Sequence, residues 1–115
     1  MNQSVKLTGL QWGIVGLTVI TAVIHLVLGI IISPEPMFKV LFTLNGLGYL
    51  ALIAALYFLR PFAANRALIR YALMAFTAVT LVLYFVFNWP NVVSPLGLVD
   101  KAVELVLIIL LWLDR

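Results

Sequence analysis

Four runs of about twenty apolar residues, separated by short polar connections, decide most of what this chain can fold into. They lie at about 10–32, 38–59, 67–87 and 95–113. Each is long enough to cross a hydrocarbon core of ~30 Å as a helix rising ~1.5 Å per residue. None of the first three carries an acidic residue. The fourth does: Val99-Asp100-Lys101-Ala102-Val103-Glu104 brings three charges together at the start of an aliphatic run that continues to Leu113.

Composition supports membrane spans over a water-soluble fold. The chain is 65% hydrophobic and 10% charged, whereas soluble domains are roughly a quarter charged. That leaves too few polar residues to cover a soluble surface. Cysteine is absent, which excludes disulfides, thiolate metal sites, covalent c-type haem and CxxC redox chemistry. It also excludes the small four-helix quinone and vitamin K reductases, which need a cysteine pair. The net charge of +3 reads as membrane topology and leaves no nucleic-acid footprint. With no repeat or linker in view, residues 1–115 read as one domain.

The connections set the expected order of the helices. The first run has no A-x-A pattern after it and reads as an uncleaved span, ended by Pro34 and Pro36. The second stops at Arg60-Pro61. The third begins after Asn65, read as its N-cap, and leaves at Asn88-Trp89-Pro90. Ser94 and Pro95 read as N-cap and first residue of the fourth. Connections this short force antiparallel neighbours. The expected fold is therefore an all-α membrane protein, with four transmembrane helices in an up-down-up-down antiparallel bundle.

Orientation follows from the basic residues. Lys6, Arg60, Arg66, Arg70 and Arg115 fall on one side, with Lys39 and Lys101 on or towards the other. This excess places both termini in the cytoplasm, with the chain in the plasma membrane. Trp12 and Trp112 then lie near the inner interface and Trp89 near the outer one. Gly9, Gly13 and Gly16 on the first helix, and Gly46 and Gly48 on the second, are expected to permit close helix approach, within the chain or in a homodimer.

Polar residues converge on one layer in the outer half. His25 and Asn45 each lie ~10 Å inside the outer end of their helices, and Tyr84 about one turn inside. Asp100, Lys101 and Glu104 descend from the outer end of the fourth helix, Asp100 and Glu104 on one face. Thr18, Ala22, His25 and Gly29 form a small-and-polar stripe on the first helix. Thr77, Thr80 or Leu81, Tyr84 and Asn88 form another on the third, and on the second Asn45 and Tyr49 are one turn apart. Such stripes face the bundle interior, because lipid offers no hydrogen-bond partners.

Each of these residues also has a plain structural reading. His25 serves as a hydrogen-bonded interior histidine, Asn45 and the threonines as links between helices, and Asp100-Lys101 as an ion pair at a helix entrance. Glu104 is harder to explain this way. An acidic residue near mid-span costs roughly 2.5–3.5 kcal/mol, which the surrounding aliphatic residues offset at about 0.3–0.6 kcal/mol each. An intramembrane carboxylate is a functional candidate by default. The candidate ligand- or proton-binding set is His25, Asn45, Tyr84, Asp100, Lys101 and Glu104.

Catalysis finds little support. One histidine and scattered carboxylates do not make a metal set by spacing. Ser33 and Ser94 sit in no nucleophile elbow, and no Gly-rich loop is placed to hold phosphate. The expectation is a non-catalytic membrane protein, accessory or ligand-binding, whose partners are the lipid bilayer, a larger membrane complex or a second copy. One alternative is a proton- or cation-coupled transporter or conductance using Glu104. Small multidrug-type transporters share the length and helix number, but their intramembrane glutamate is in the first helix, where this chain has none. The other alternative is a haem- or chlorin-binding protein with His25 as axial ligand, which for a bis-histidine haem needs a second chain.

Four pieces carry a family resemblance: His25-Leu-Val-Leu-Gly29, Phe42-Thr-Leu-Asn-Gly-Leu-Gly-Tyr49, the stretch from Thr77 to Phe85, and Val99-Asp-Lys-Ala-Val-Glu104. Through them the chain resembles a family of small, uncharacterised prokaryotic four-helix membrane proteins. The resemblance implies the four-helix architecture and brings no activity with it.

Overall fold

The computed structural model describes residues 7–59 and 64–114. Among these the long elements are helices: α1 (Gly9–Val27), continued by a π-helical turn (Leu28–Ile32), α2 (Pro36–Tyr57), α3 (Arg66–Asn88) and α4 (Pro95–Leu113). Lys6, Arg60 and Arg115, which entered the charge argument, lie outside the described residues. Three helical stretches are long and apolar enough to cross a membrane: Gly9–Ile32, Pro36–Tyr57 and Arg66–Asn88. Helix α4 is set apart by the charges of Asp100, Lys101 and Glu104, all inside its first three turns.

Local chemistry explains the helix ends. At the start of α1, Thr8 and Gln11 form a capping box: the Gln11 amide donates to Thr8 Oγ1 at 3.1 Å and the Thr8 amide to Gln11 Oε1 at 3.0 Å. Ser94 caps α4 as expected, accepting from the Gly97 amide at 3.1 Å with Pro95 in the first turn. Two expectations change. Pro36 opens α2 where it was expected to close the preceding helix, because a first-turn residue needs no amide hydrogen. Asn65 makes no side-chain cap.

The end of α3 nearest Asn65 instead serves its neighbours through arginines. Arg66 Nε donates to the Leu56 carbonyl at 3.1 Å, and Arg70 Nη1 to the Leu111 carbonyl at 2.8 Å. Both carbonyls belong to last turns, where no intrahelical donor remains and a cation is favoured. Asp114, just beyond α4, accepts from Gln11 Nε2 at 3.2 Å and from the Tyr57 hydroxyl. We call this the lower end, and the end bearing the 33–35 and 89–94 connections the upper end.

The helices form a ring, α1 packing on α2 and α4, and α3 on α2 and α4. Polarity is arranged inside out. Thr18, Thr21, His25, Arg70, Thr77, Thr80, Asp100, Lys101 and Glu104 are buried, as many residues as the buried apolar set of the described chain. Outside, Ile31, Leu44, Leu68, Val86 and many like them are exposed. A surface this apolar is a membrane or partner surface. Inside, the lower half is dry: Ile14, Ile53, Leu56, Leu73, Leu107 and Leu111 are each at most 4% exposed. Thr18 and Thr77 lie in the core and donate back to the carbonyls of Ile14 at 2.7 Å and Leu73 at 2.8 Å, so their hydroxyl hydrogens are met within their own helices.

Within the chain, close helix approach does not rest on the first three glycines. A Cβ on Gly9 or Gly16 would meet nothing within 4 Å, and on Gly13 only Leu110 at ordinary contact distance. The tight seam lies between α1 and α2. A Cβ on Gly46 would come within 2.8 Å of the Ala22 carbonyl, and one on Gly29 within 2.7 Å of the Thr43 amide nitrogen. Gly48 meets the flexible end of Phe76. Gly46→Ala is therefore expected to cost about 1–3 kcal/mol by overpacking, and Gly9→Ala to stay within about 0.5 kcal/mol of the parent. Reversible denaturation in detergent micelles measures both, and equal effects would refute the assigned seam.

Candidate functional site

The upper half of the core is built around Glu104, which is 0% exposed. Its Oε2 accepts from the Tyr49 hydroxyl of α2 at 2.7 Å and lies 3.0 Å from Thr21 Oγ1 of α1. Its Oε1 is paired with the Lys101 ammonium, one turn earlier on α4. Asp100 lies one turn above Glu104. Its Oδ1 is 2.6 Å from the same Thr21 hydroxyl, and its Oδ2 is 3.3 Å from Lys101 Nζ and 3.6 Å from His25 Nε2. His25 Nδ1 faces the Thr21 carbonyl at 2.8 Å; a carbonyl only accepts, so this nitrogen carries the hydrogen. Helix α3 contributes the Tyr84 ring, 5.0 Å beneath Lys101 Nζ, as a cation–π partner.

Each side chain reaches this point through simple periodicity. Thr21 and His25 are one turn apart on α1, and Asp100 and Glu104 one turn apart on α4. The Tyr49 ring is held edge-on by Phe76 at 4.8 Å and lies 5.9 Å from the His25 ring. Charge sits in a low-dielectric setting, where a carboxylate is tolerated when paired and fully hydrogen-bonded. Lys101 supplies the pairing, and Thr21 and Tyr49 supply the hydrogen bonds.

Above the cluster, a half-open cavity of about 600 Å³ runs towards the upper end. Its walls are apolar, including Leu28, Phe42, Leu83 and Phe87, and its floor exposes His25, Asp100 and Lys101. Asn45 also lines it. Its Nδ2 donates to Thr80 Oγ1 at 2.8 Å. Its Oδ1 is buried and, among the described residues, has no hydrogen-bond partner. A buried acceptor left this way carries a desolvation cost that a donor would remove.

Of the six residues read from sequence, His25, Asp100, Lys101 and Glu104 come together directly. Tyr84 joins through its ring, while its hydroxyl donates to the Val92 carbonyl at 2.6 Å. Asn45 stands apart, tied to Thr80 across the cavity wall. Sequence reading missed Thr21 and Tyr49 as cluster members. The signal was present in the i,i+4 spacing of Thr21 to His25 and of Asn45 to Tyr49, yet a threonine or tyrosine in an apolar helix commonly bonds to its own backbone or packs as a hydrophobe. The carboxylates read as scattered for metal binding are not so in space: the ligand atoms of His25, Asp100 and Glu104 lie within 4.8 Å of one another. The Lys101 ammonium already takes the position beside both carboxylates that a metal ion would need.

Fold and cluster together define an all-helical protein, apolar on its surface and charged within. The chain belongs to a family of unknown function, DUF7475, whose model matches residues 6–113. No curated protein and no solved structure matches it. Membership of a family with no assigned activity agrees with the resemblance drawn from the four sequence pieces.

The pairing has a measurable signature. Lys101→Met leaves Glu104 buried without its cation and is expected to cost about 3–5 kcal/mol. Adding Glu104→Gln should return most of that loss. Equilibrium denaturation of the single and double variants in detergent decides it: a double variant no more stable than Lys101→Met alone would show that Lys101 does not serve Glu104.

Proposed function

We propose that this chain is a small non-catalytic protein of the prokaryotic plasma membrane, one domain of four passes, that holds an amphipathic small molecule in the outer half of its bundle. The observation that carries the reading is the cavity of about 600 Å³, apolar on its walls and charged on its floor. Its size and lining suit a ligand with an apolar body and a polar head.

Several facts support four passes. The charges of α4 are all buried, while Leu105, Ile109 and Leu113 on its outside are each at least 50% exposed. Nineteen residues give α4 a length of ~29 Å, close to the hydrocarbon thickness. Antiparallel order is supported by contacts that run in opposite sequence directions, Gly29 with Thr43 and Gly46 with Ala22, Gln11 with Asp114 and Thr21 with Glu104. Arg66 and Arg70 at the lower end, with exposed Trp12 and Trp112, support a cytoplasmic lower end; Trp89 suits the outer interface.

A proton- or cation-linked carrier is the second reading, favoured by a carboxylate as buried as Glu104. The dry lower core weighs against a conductance through the bundle centre. Equal proton flux in liposomes bearing wild type or Glu104→Gln would remove this reading. Axial haem or chlorin ligation by His25 is disfavoured, because Nδ1 faces the Thr21 carbonyl and Nε2 faces Asp100.

Two experiments test the preferred reading. The chain has no cysteine, so single introduced ones report topology. Ser33→Cys should react with an impermeant maleimide on intact cells and Ala63→Cys, at a position outside the described residues, only after permeabilisation. The reverse pattern would overturn the orientation. Solvent extraction of the purified protein, read by mass spectrometry, should release one amphiphile in near-equal amount. Leu83→Trp, a larger side chain on the apolar wall, should lower that yield several-fold. Recovery of bulk lipid alone, unchanged by Leu83→Trp, would sink the ligand.

A further inference from the structure

The hydrogen atoms of the cluster do not add up unless one more proton is present. Thr21 carries one hydroxyl hydrogen, yet its Oγ1 lies 2.6 Å from Asp100 Oδ1 and 3.0 Å from Glu104 Oε2. With both carboxyls ionised, one of these contacts sets two bare oxygens against each other. Among the described residues no other donor fills the gap. The Tyr49 hydroxyl is spent on Glu104 Oε2, and His25 Nδ1–H on the Thr21 carbonyl. Lys101 turns to Glu104 Oε1 and Asp100 Oδ2, away from the Asp100 Oδ1 contact.

Charge gives the same count by an independent route. The groups facing one another are Thr21 and His25 from α1, Tyr49 from α2, Tyr84 from α3, and Asp100, Lys101 and Glu104 from α4. Two carboxylates against one ammonium leave a net negative charge among side chains that, Tyr84 apart, are at most 7% exposed. One added proton cancels it; on His25 Nε2, 3.6 Å from Asp100 Oδ2, it would balance the charge yet leave the Thr21 contacts one hydrogen short, so the carboxyl pair is where both counts are met. A second charge of that kind inside the core is what burial penalises most.

We infer that Asp100, Thr21 and Glu104 form a binding site for one exchangeable proton shared between the two carboxyls. Asp100 holds it in the resting arrangement: Asp100 Oδ1–H donates to Thr21 Oγ1, and Thr21 Oγ1–H donates to Glu104 Oε2. Glu104, already met by Tyr49 and Lys101, is the carboxyl that stays ionised. Reversing both hydrogen bonds moves the proton from Asp100 to Glu104 through the hydroxyl, with one O–H bond broken and one formed at each step and no heavy atom displaced. Asp100 lines the cavity and Glu104 does not, so the proton enters and leaves at Asp100. The site stands on the cluster alone, whether or not the cavity above it holds a ligand.

Infrared spectroscopy of the reconstituted full chain at neutral pH tests this. The wild type should show the C=O stretch of a protonated carboxylic acid, shifted in D₂O. It should move on ¹³C labelling of aspartate and stay on labelling of glutamate. Each isosteric variant, Asp100→Asn and Glu104→Gln, should abolish the band, because the remaining carboxylate is then matched by Lys101; Asp114→Asn should leave it unchanged. Absence of the band in wild type overturns the proposal and needs no variant to fold. A band that survives either Asp100→Asn or Glu104→Gln belongs to a carboxyl protonated on its own account, and also overturns it. A band that follows glutamate labelling overturns the placement on Asp100.

Discussion

A carboxylate with no path to water must find every partner in the protein, and Glu104 imposes that condition on the whole bundle. Helix α1 answers with Thr21, α2 with Tyr49 and α4 with Lys101, while α3 supplies the ring on which Lys101 rests. A buried ion pair is weak evidence for stability, since well-packed apolar residues often do as well. Its effect here is on register. Sliding α4 by one turn moves Glu104 by ~5.4 Å, out of reach of both hydroxyls. The cluster therefore holds the axial position of α4 at the upper end, as the Gln11–Asp114 and Arg70–Leu111 contacts do at the lower.

Along the bundle axis the interior changes character. Charge and hydroxyl groups occupy the upper half of the core, aliphatic side chains the lower half, and a second polar group of Gln11, Tyr57, Arg66, Arg70 and Asp114 closes the lower end. The two polar groups do different work. The lower one satisfies helix ends, which any helix requires. The upper one lies mid-helix, where the backbone is already satisfied, and so has no such structural cause. It is also the one that adjoins the cavity.

Much of this was legible in the sequence. Apolar runs and proline positions located all four helices to within a few residues, because helix length and the missing amide of proline are local properties. Glu104 stood out for the same reason: a carboxyl inside a long aliphatic run is visible from the chain alone. What depended on distant neighbours was harder to see. Thr21 and Tyr49 entered the cluster only through the angular setting of α1 and α2, which no single helix reveals. Asn45 went the other way. Its depth matched that of His25, but its side chain turned to Thr80 across the bundle. The glycines divided for a related reason: Gly46 sits in the tight seam as expected, while Gly9 and Gly16 meet no neighbour within the chain.

The seam between α1 and α2 has a consequence for how relatives of this chain can differ. At Gly46 the space for a side chain is taken by backbone, the Ala22 carbonyl, as well as by Leu26. Side chains can be exchanged one at a time, but a carbonyl retreats only when its helix does. A relative that carries any other residue at position 46 must therefore have rotated or withdrawn α1, and with it Thr21 and His25. Positions 46, 21 and 25 should then vary as a group across the family.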